Sequence, residues 1–398
     1  MPTHQTPGIY VDETPSTRAI APASTAVTAF VGHTLEGPIN RVVPVKSFTE
    51  YSKTFGGLAA SSEVSYAVLQ FFRNGGEKAL IVRVPELDTG LPDLGMVSGA
   101  SSSVPIGLGC LQADDEFELL CVPDTTRPRE PGGSLSEFST DEMVELWRAA
   151  IALCWRKRAL FILDAPVETL STGGAQTLAA ALPREMGSFA AAYAPWIWID
   201  DPLHDGQQRR CAPSGSIAGL YARTDKNRGV WKSPAGTDAN LRNVRRLAAS
   251  FSEAEQAILN PLAINLLREF PGHGFVAWSA RTLDISGDWT FVPVRRLANH
   301  IERSLSRGLH WAAFEASAEP LWAQLRRSAG DFLDTLFRRG AFAGDNAARS
   351  YFVKCGPDTT TEADIAQSHV NLEIGFAPLH PAEFVILRLQ FTTQPPSA

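Results

Sequence analysis

The sequence predicts an α/β protein: a parallel or mixed central sheet flanked by helices, an α+β C-terminal domain, and extended N- and C-terminal strand-donating arms. Three observations carry this expectation. Phe117 to Val122, Ala159 to Leu163 and Trp196 to Ile199 are short apolar runs separated by helical segments, an order that folds into a parallel sheet wrapped by helices. Two long amphipathic helices followed by strands fill the last quarter of the chain. Strand-like runs stand at both ends, outside either domain.

The first arm, residues 1–19, carries Ile9, Tyr10, Val11 and Asp12 between Pro7 and Pro15. A short strand alone leaves its backbone groups unpaired, so it needs a neighbouring sheet to join. Residues 20–85 read as the N-terminal α/β part of the core. Ala26 to Gly32 is a buried strand. Val64, Ala67, Val68, Phe71 and Phe72 fall on one helical face, Asn74-Gly75-Gly76 ends that helix, and Ala79 to Val84 is the next strand. From 86 to 115 the composition turns to Gly, Ser and Pro, which predicts a linker or surface excursion.

The central domain, 116–283, holds the three strands named above. Ser139 and Glu142 have capping-box spacing before the first intervening helix, and a second helix is centred on Gln176 to Leu182. Lys226 to Asp238 reads as an exposed polar loop. Ser252 and Glu255 repeat the capping-box spacing, and Phe275 to Trp278 is a further strand.

In the C-terminal domain, 284–386, Leu297, Ile301, Leu305 and Leu309 recur every four residues and leave Arg296, His300, Arg303 and Arg307 on other faces. Pro320 opens the next helix, whose apolar stripe runs from Leu321 to Phe337, and Gly340 closes it. Strands Tyr351 to Cys355 and His369 to Phe376 follow. The C-terminal arm, 387–398, alternates Leu387, Leu389 and Phe391 with Arg388 and Gln390, the period of a half-buried strand.

With 398 residues, 44% hydrophobic and 20% charged, the chain is an ordinary globular one, and a net charge of -7 argues against nucleic-acid binding by its whole surface. Its five cysteines form no CxxC pair, which predicts reduced, buried thiols in a reducing compartment. The polar N-terminus predicts no secretory signal. The apolar run Ala190 to Ile199 is too short for a bilayer span. Synthesis in the cytoplasm is expected, with no direct membrane insertion.

Four carboxylates are the first candidates for catalysis. Asp124, Asp164, Asp200 and Asp201 follow strand ends, where open α/β sheets bind ligands, and clustered carboxylates there would hold a divalent metal. Turn chemistry at strand exits explains the same residues. Gly229 to Ser233 resembles the end of a phosphate loop, but Trp231 stands where glycine is needed. The histidines lack metal-site spacing, and Gly215 with Gly219 reads as a close helix approach. No cofactor, metal or catalytic residue is expected.

Eight runs in order resemble contractile tail sheath proteins. They are Thr6 to Glu13, Phe72 to Ala79, Pro213 to Asp225, Arg228 to Gly236, Trp278 to Leu283, Val294 to Leu297, Phe352 to Cys355 and Ala377 to Phe384. The resemblance implies a structural subunit and no enzyme: a homo-oligomeric helical sleeve around an inner tube protein, contacting baseplate and terminator or cap proteins. The particle would be assembled in the cell and released by lysis or anchored there. It implies contraction from a metastable extended state without nucleotide hydrolysis. It further implies that arm strands Ile9 to Asp12 and Leu387, Arg388, Leu389, Gln390 and Phe391 complete neighbours' sheets. Sheath C-terminal domains touch the tube, so the pairs Arg295-Arg296, Arg326-Arg327 and Arg338-Arg339 become candidate tube contacts; a solvated helix face with salt bridges to Asp331, Asp334 or Glu302 is the alternative. Two other readings stand beside this one. The first is a metal-dependent α/β enzyme. The second is the large sheath subunit of a type VI secretion apparatus, disfavoured by both arms lying on one chain.

Overall fold

The computed structural model describes residues 19–85, 94–99, 104–126, 140–166, 171–285, 287–379 and 384–393. The run Ile9 to Asp12 lies outside them, as does Ser139 of the first expected cap. Strand β1 (Thr28–Gly32) enters the middle of an eight-stranded sheet. After β2 (Val42–Val45) and α1 (Phe48–Phe55), helix α2 (Glu63–Asn74) starts where the Ser62 hydroxyl accepts from the Ser65 N–H. It ends at Gly75, whose φ of 117° favours glycine. Strand β3 (Ala79–Arg83) returns parallel to β1, with Phe30 opposite Ile81.

The described part of the expected linker is packed structure. Helix α3 (Leu94–Ser98) and the 3-10 turn Gly107–Ala113 bury Val97, Leu108 and Leu111 in the core. Each piece is too short to show a hydrophobic period, so composition alone reads as loop.

Strand β4 (Leu119–Cys121), helix α4 (Thr140–Lys157), strand β5 (Leu160–Asp164), helix α5 (Thr172–Ala181) and strand β6 (Ala190–Ala194) extend the parallel sheet. The expected third strand, Trp196 to Ile199, is displaced from this role. Ala190–Ala194 takes the place beside β5 instead. An alanine-rich strand carries no β-branched signal, and Pro195, lacking an N–H, ends it. The chain then leaves the sheet: β7 (Ile197–Asp200) pairs antiparallel with β8 (Gln208–Cys211) and, beyond helix α6 (Ser214–Arg228), with β9 (Arg246–Leu247).

Helix α7 (Glu253–Leu259) has the capping box expected of Ser252 and Glu255. Strands β10 (Ile264–Phe270) and β11 (Gly274–Ala277) finish the large sheet, in the order β11-β10-β6-β5-β4-β1-β3-β2. Its central strands are buried on both faces, as parallel strands require. Val31, Leu120 and Leu163 point into one apolar cluster and Phe30, Leu119 and Ile162 into the other. On the second face α6 lies so close to α2 that a Cβ on Gly215 would stand 2.2 Å from the Ala67 carbonyl oxygen.

The C-terminal unit contains α8 (Val292–Gly308), α9 (Glu319–Arg338), α10 (Ala347–Ser350), β12 (Tyr351–Lys354), α11 (Glu362–Ala366), β13 (His369–Phe376) and β14 (Val385–Thr392). Leu297, Ile301, Leu305 and Leu309 enter a third apolar cluster with the α9 stripe and the sheet β12-β13-β14. The other face of α8 is buried too, contrary to a solvated arginine face. Arg303 donates to the Phe117 carbonyl at 2.6 Å and pairs with Glu118 at 2.9 Å. Arg296 pairs with Asp225 and donates to the Thr25 carbonyl at 2.7 Å. Helix α8 is thus the join between the two units.

Candidate functional site

The C-terminal sheet is the first candidate. Strand β14 lies antiparallel on β13, with Leu387 opposite Ile374, Leu389 opposite Leu372 and Arg388 opposite Glu373. The alternation seen in the sequence is real: Val385, Leu387 and Leu389 are buried, whereas Ile386, Arg388 and Gln390 face outward. Phe391 is half-buried. In the single chain, therefore, the strand that the sequence presents as an arm is seated on its own sheet. Both edges of this sheet, on β12 and on β14, lack a strand partner among the described residues. Such edges present unpaired N–H and C=O groups to any added strand.

The six candidate arginines separate by burial. Arg295 and Arg296 are 6% and 4% exposed, so this pair is removed from tube contact. Arg295 stacks on Trp289 with Cζ 3.6 Å from the ring centroid, and burial lowers its pKa to about 9. Arg296 is held by Asp225. Arg327, Arg338 and Arg339 are exposed, and Arg326 is half-buried. Arg326 pairs with Glu319 at 2.5 Å, Arg338 with Asp334 at 2.7 Å, and Arg339 lies over Trp231. These four remain on or near the surface.

The carboxylates at the strand ends do not converge. Asp124 is buried and accepts from the His33 backbone N–H beside the ends of β1 and β4. Asp164 is buried and accepts from the Ser214 N–H at 2.8 Å, capping α6. Burial raises its pKa to about 7 against the lowering effect of Ser214. Asp200 pairs with Arg245 at the surface, and Asp201 takes the Tyr66 hydroxyl at 2.8 Å. Among the described residues no three potential ligands gather into a metal site. The five cysteines are free thiols, four of them buried. No helix among the described residues is long and apolar enough to cross a membrane.

The sequence did not disclose the pairings Arg296 with Asp225 and Arg303 with Glu118. Their partners lie far apart in the chain, and no local spacing encodes them.

No family model matches the chain. Over 248 residues it is 25% identical to a prophage major tail sheath protein of Pseudomonas aeruginosa (strain UCBPP-PA14), covering 61% of this chain and 60% of that one. It is 33% identical over 104 residues to the tail sheath protein of Enterobacteria phage T4, covering 26% of this chain and 16% of that one. The chain thus spans less than two thirds of these relatives' length. Solved structures align more fully. The sheath complex of the extracellular contractile injection system PVC, in its contracted state, matches with a TM-score of 0.74 and 26% identity over 98% of both chains. The contracted helical sheath of the anti-feeding prophage matches with a TM-score of 0.72 and 27% identity over 97% of this chain and 99% of that one.

Fold and likeness together define a subunit of a contractile sheath. The chain is similar to contractile tail sheath proteins in sequence and, over nearly its whole length, in fold.

Proposed function

We propose that copies of this chain polymerise into a helical sleeve around an inner tube and shorten, driving that tube through a target envelope. The observation that carries the reading is the alignment of essentially the whole chain with the PVC sheath at 26% identity. The work comes from rearranging a metastable extended lattice into a compact one, without nucleotide hydrolysis, as rigid bodies turn on flexible connections. Head-to-tail contacts that do not close into a ring extend along an axis. The likeness to a baseplate of the anti-feeding prophage supports a baseplate as one neighbour, with a cap at the far end. Assembly takes place in the cell, and the particle is released by lysis or stays anchored there.

The C-terminal sheet is the linkage. Its open edges accept the strand Ile9 to Asp12 of a neighbour, and the strand from Leu387 to Phe391 is exchanged between copies. Eight residues, 377–384, connect β13 to β14. At about 3.3 to 3.6 Å per residue they reach nearly 30 Å, far more than a tight hairpin needs. A donated strand forming about five backbone hydrogen bonds contributes roughly 5 kcal/mol, sufficient to tether moving bodies. Exposed Arg327 and Arg338, with Arg326 and Arg339 beside them, form the tube-facing contact.

Negative-stain microscopy of the purified chain tests the reading: sleeves are expected, and a protein that stays monomeric at all concentrations overturns it. Charge reversal at Arg327 and Arg338 should reduce co-sedimentation of sleeve with tube. Unchanged co-sedimentation would remove those arginines from the contact.

A further inference from the structure

A second surface lies on the small sheet β8-β7-β9, a separate sheet from that of the C-terminal unit. Trp198 of β7 stands directly opposite Arg210 of β8 and Arg246 of β9, so the three share one face in a row across the sheet. Trp196, two residues earlier, falls on the same face. The reverse face carries Ile197, Ile199 and Cys211 into the core. Arg246 lies over Trp198 with Cζ 3.9 Å from the ring centroid, and Arg210 lies over Trp196 at 5.2 Å. Stacking occupies the face of a guanidinium and leaves its N–H edge free for in-plane hydrogen bonds to a carboxylate.

The row's charge is unspent. Asp200, two residues after Trp198 on the same strand face, is already held by Arg245. Neither Arg210 nor Arg246 makes an ion pair with a described residue; Arg246 reaches only the Gln208 side-chain oxygen, at 3.3 Å. From 206 to 246 the chain carries nine Lys and Arg against two Asp; Arg209, Lys226, Arg228 and Arg245 pair with Glu63, Glu77, Asp238 and Asp200, and Arg210 and Arg246 are among those left over. Copies of such a chain repel one another through their net charge, and this face supplies a local electrostatic attraction where it meets an acidic one. The segment 355–373 offers that complement: it has four carboxylates and no Lys or Arg, and with Glu373 held by Arg388 and Asp364 closing a helix cap, Asp358 and Glu362 are left. Asp358 and Glu362 in it are exposed and make no ion pair with described residues.

We propose that the arginine–tryptophan face of β8-β7-β9 docks the acidic turn around Asp358 and Glu362 of a second copy of this chain. Donor and acceptor patches sit on different units, so the contact is heterologous and, in a sleeve whose rotation does not close, repeats from copy to copy. The inference rests on the sheath reading and adds to it a named pair of surfaces between sheath bodies, separate from strand exchange.

A charge swap tests it. Wild type, R210E/R246E, the neutral R210Q/R246Q and the fourfold R210E/R246E/D358R/E362R are compared by sedimentation and negative stain at low and high salt, with thermal melting of each monomer as the fold control. R210E/R246E is expected to melt like wild type while its sleeve yield falls about tenfold or more, with R210Q/R246Q between them and the fourfold variant restored. Normal sleeves from R210E/R246E overturn the proposal while leaving the sheath reading intact. A loss that D358R/E362R fails to restore overturns the assigned occupant and points to the tube or another partner. A wild-type chain that never assembles overturns the sheath reading and this contact with it.

Discussion

Arg296 of α8 and Asp225 of α6 meet at 2.6 Å, each with its side chain only 4% exposed, across the join between the C-terminal unit and the central sheet. Arg296 holds both carboxylate oxygens and also reaches the Thr25 carbonyl, so one guanidinium ties three segments of chain. A buried ion pair stabilises little relative to apolar packing, but half of one is costly. Arg296→Ala is therefore expected to destabilise the monomer by about 3–5 kcal/mol in urea unfolding, because it strands Asp225. The double variant R296M/D225L should lose less than R296A. If R296A and the double variant unfold at the same urea concentration, the join does not depend on this pair.

Two buried groups give opposite pH signatures. Burial raises Asp164 from 3.8 to about 7, so between those values the folded state binds more protons than the unfolded one and stability falls as pH rises. Burial, with Arg339, Arg296 and Arg303 nearby, lowers His300 from 6.5 to about 4. There the unfolded state binds more protons, and stability rises as pH goes from about 4 to 6.5. The two effects oppose each other across pH 4 to 6.5. Relative to wild type, Asp164→Asn should melt progressively higher as pH increases over that range, and His300→Gln progressively lower. Parallel melting curves for all three proteins would show that neither group titrates as its burial requires.

The approach of α2 and α6 depends on absent side chains. A Cβ on Gly219 would stand 2.4 Å from the Phe71 carbonyl oxygen, a backbone atom that cannot rotate away. Gly219→Ala should lower stability by about 1–3 kcal/mol or more through forced helix separation. Gly330 in α9 meets nothing within 4 Å, so Gly330→Ala should instead raise stability by up to about 1 kcal/mol. Thermal melts that move in the same direction for both would refute the packing argument.

Local chemistry made much of this legible in the sequence. Ser252 and Glu255 gave their cap, Gly75 its helix end, and His369 to Phe376 its strand, because each signal lies within a few residues. The close packing of Gly215 and Gly219 was readable for the same reason. What failed was non-local. Arg295, Arg296 and Arg303 look like a solvated face until the sheet that receives them is built. Ala190–Ala194 has no strand signature of its own and becomes a strand only because β5 and β10 flank it. The row Arg210, Trp198 and Arg246 likewise exists only through pairing between three separated segments.

The two chain ends should behave differently when removed. Residues 387–398 include Leu387 and Leu389, which cover Leu372 and Ile374 inside the third apolar cluster. Cutting there uncovers a core, and removing two buried leucines costs on the order of 4 kcal/mol or more. A truncation at Leu387 is thus expected to melt well below wild type as a monomer, and its failure to assemble would be uninformative alone. The N-terminal cut is the cleaner experiment. Ile20 packs against α8 at Gly308 and Ala23 donates to the Ser304 hydroxyl at 2.9 Å, so a deletion ending at Arg18 preserves both contacts. Deletion of residues 1–18 should change the melting temperature little, since the contacts of Ile20 and Ala23 with α8 are kept. Sleeves should nevertheless be absent by microscopy. Adding a free peptide of residues 1–18 should bind the truncated monomer weakly at the open edge of the C-terminal sheet, and protection of β12 or β14 amides from hydrogen exchange would locate it. Normal sleeves from the truncated chain, or peptide protection elsewhere in the protein, would show that Ile9 to Asp12 is not the linking strand.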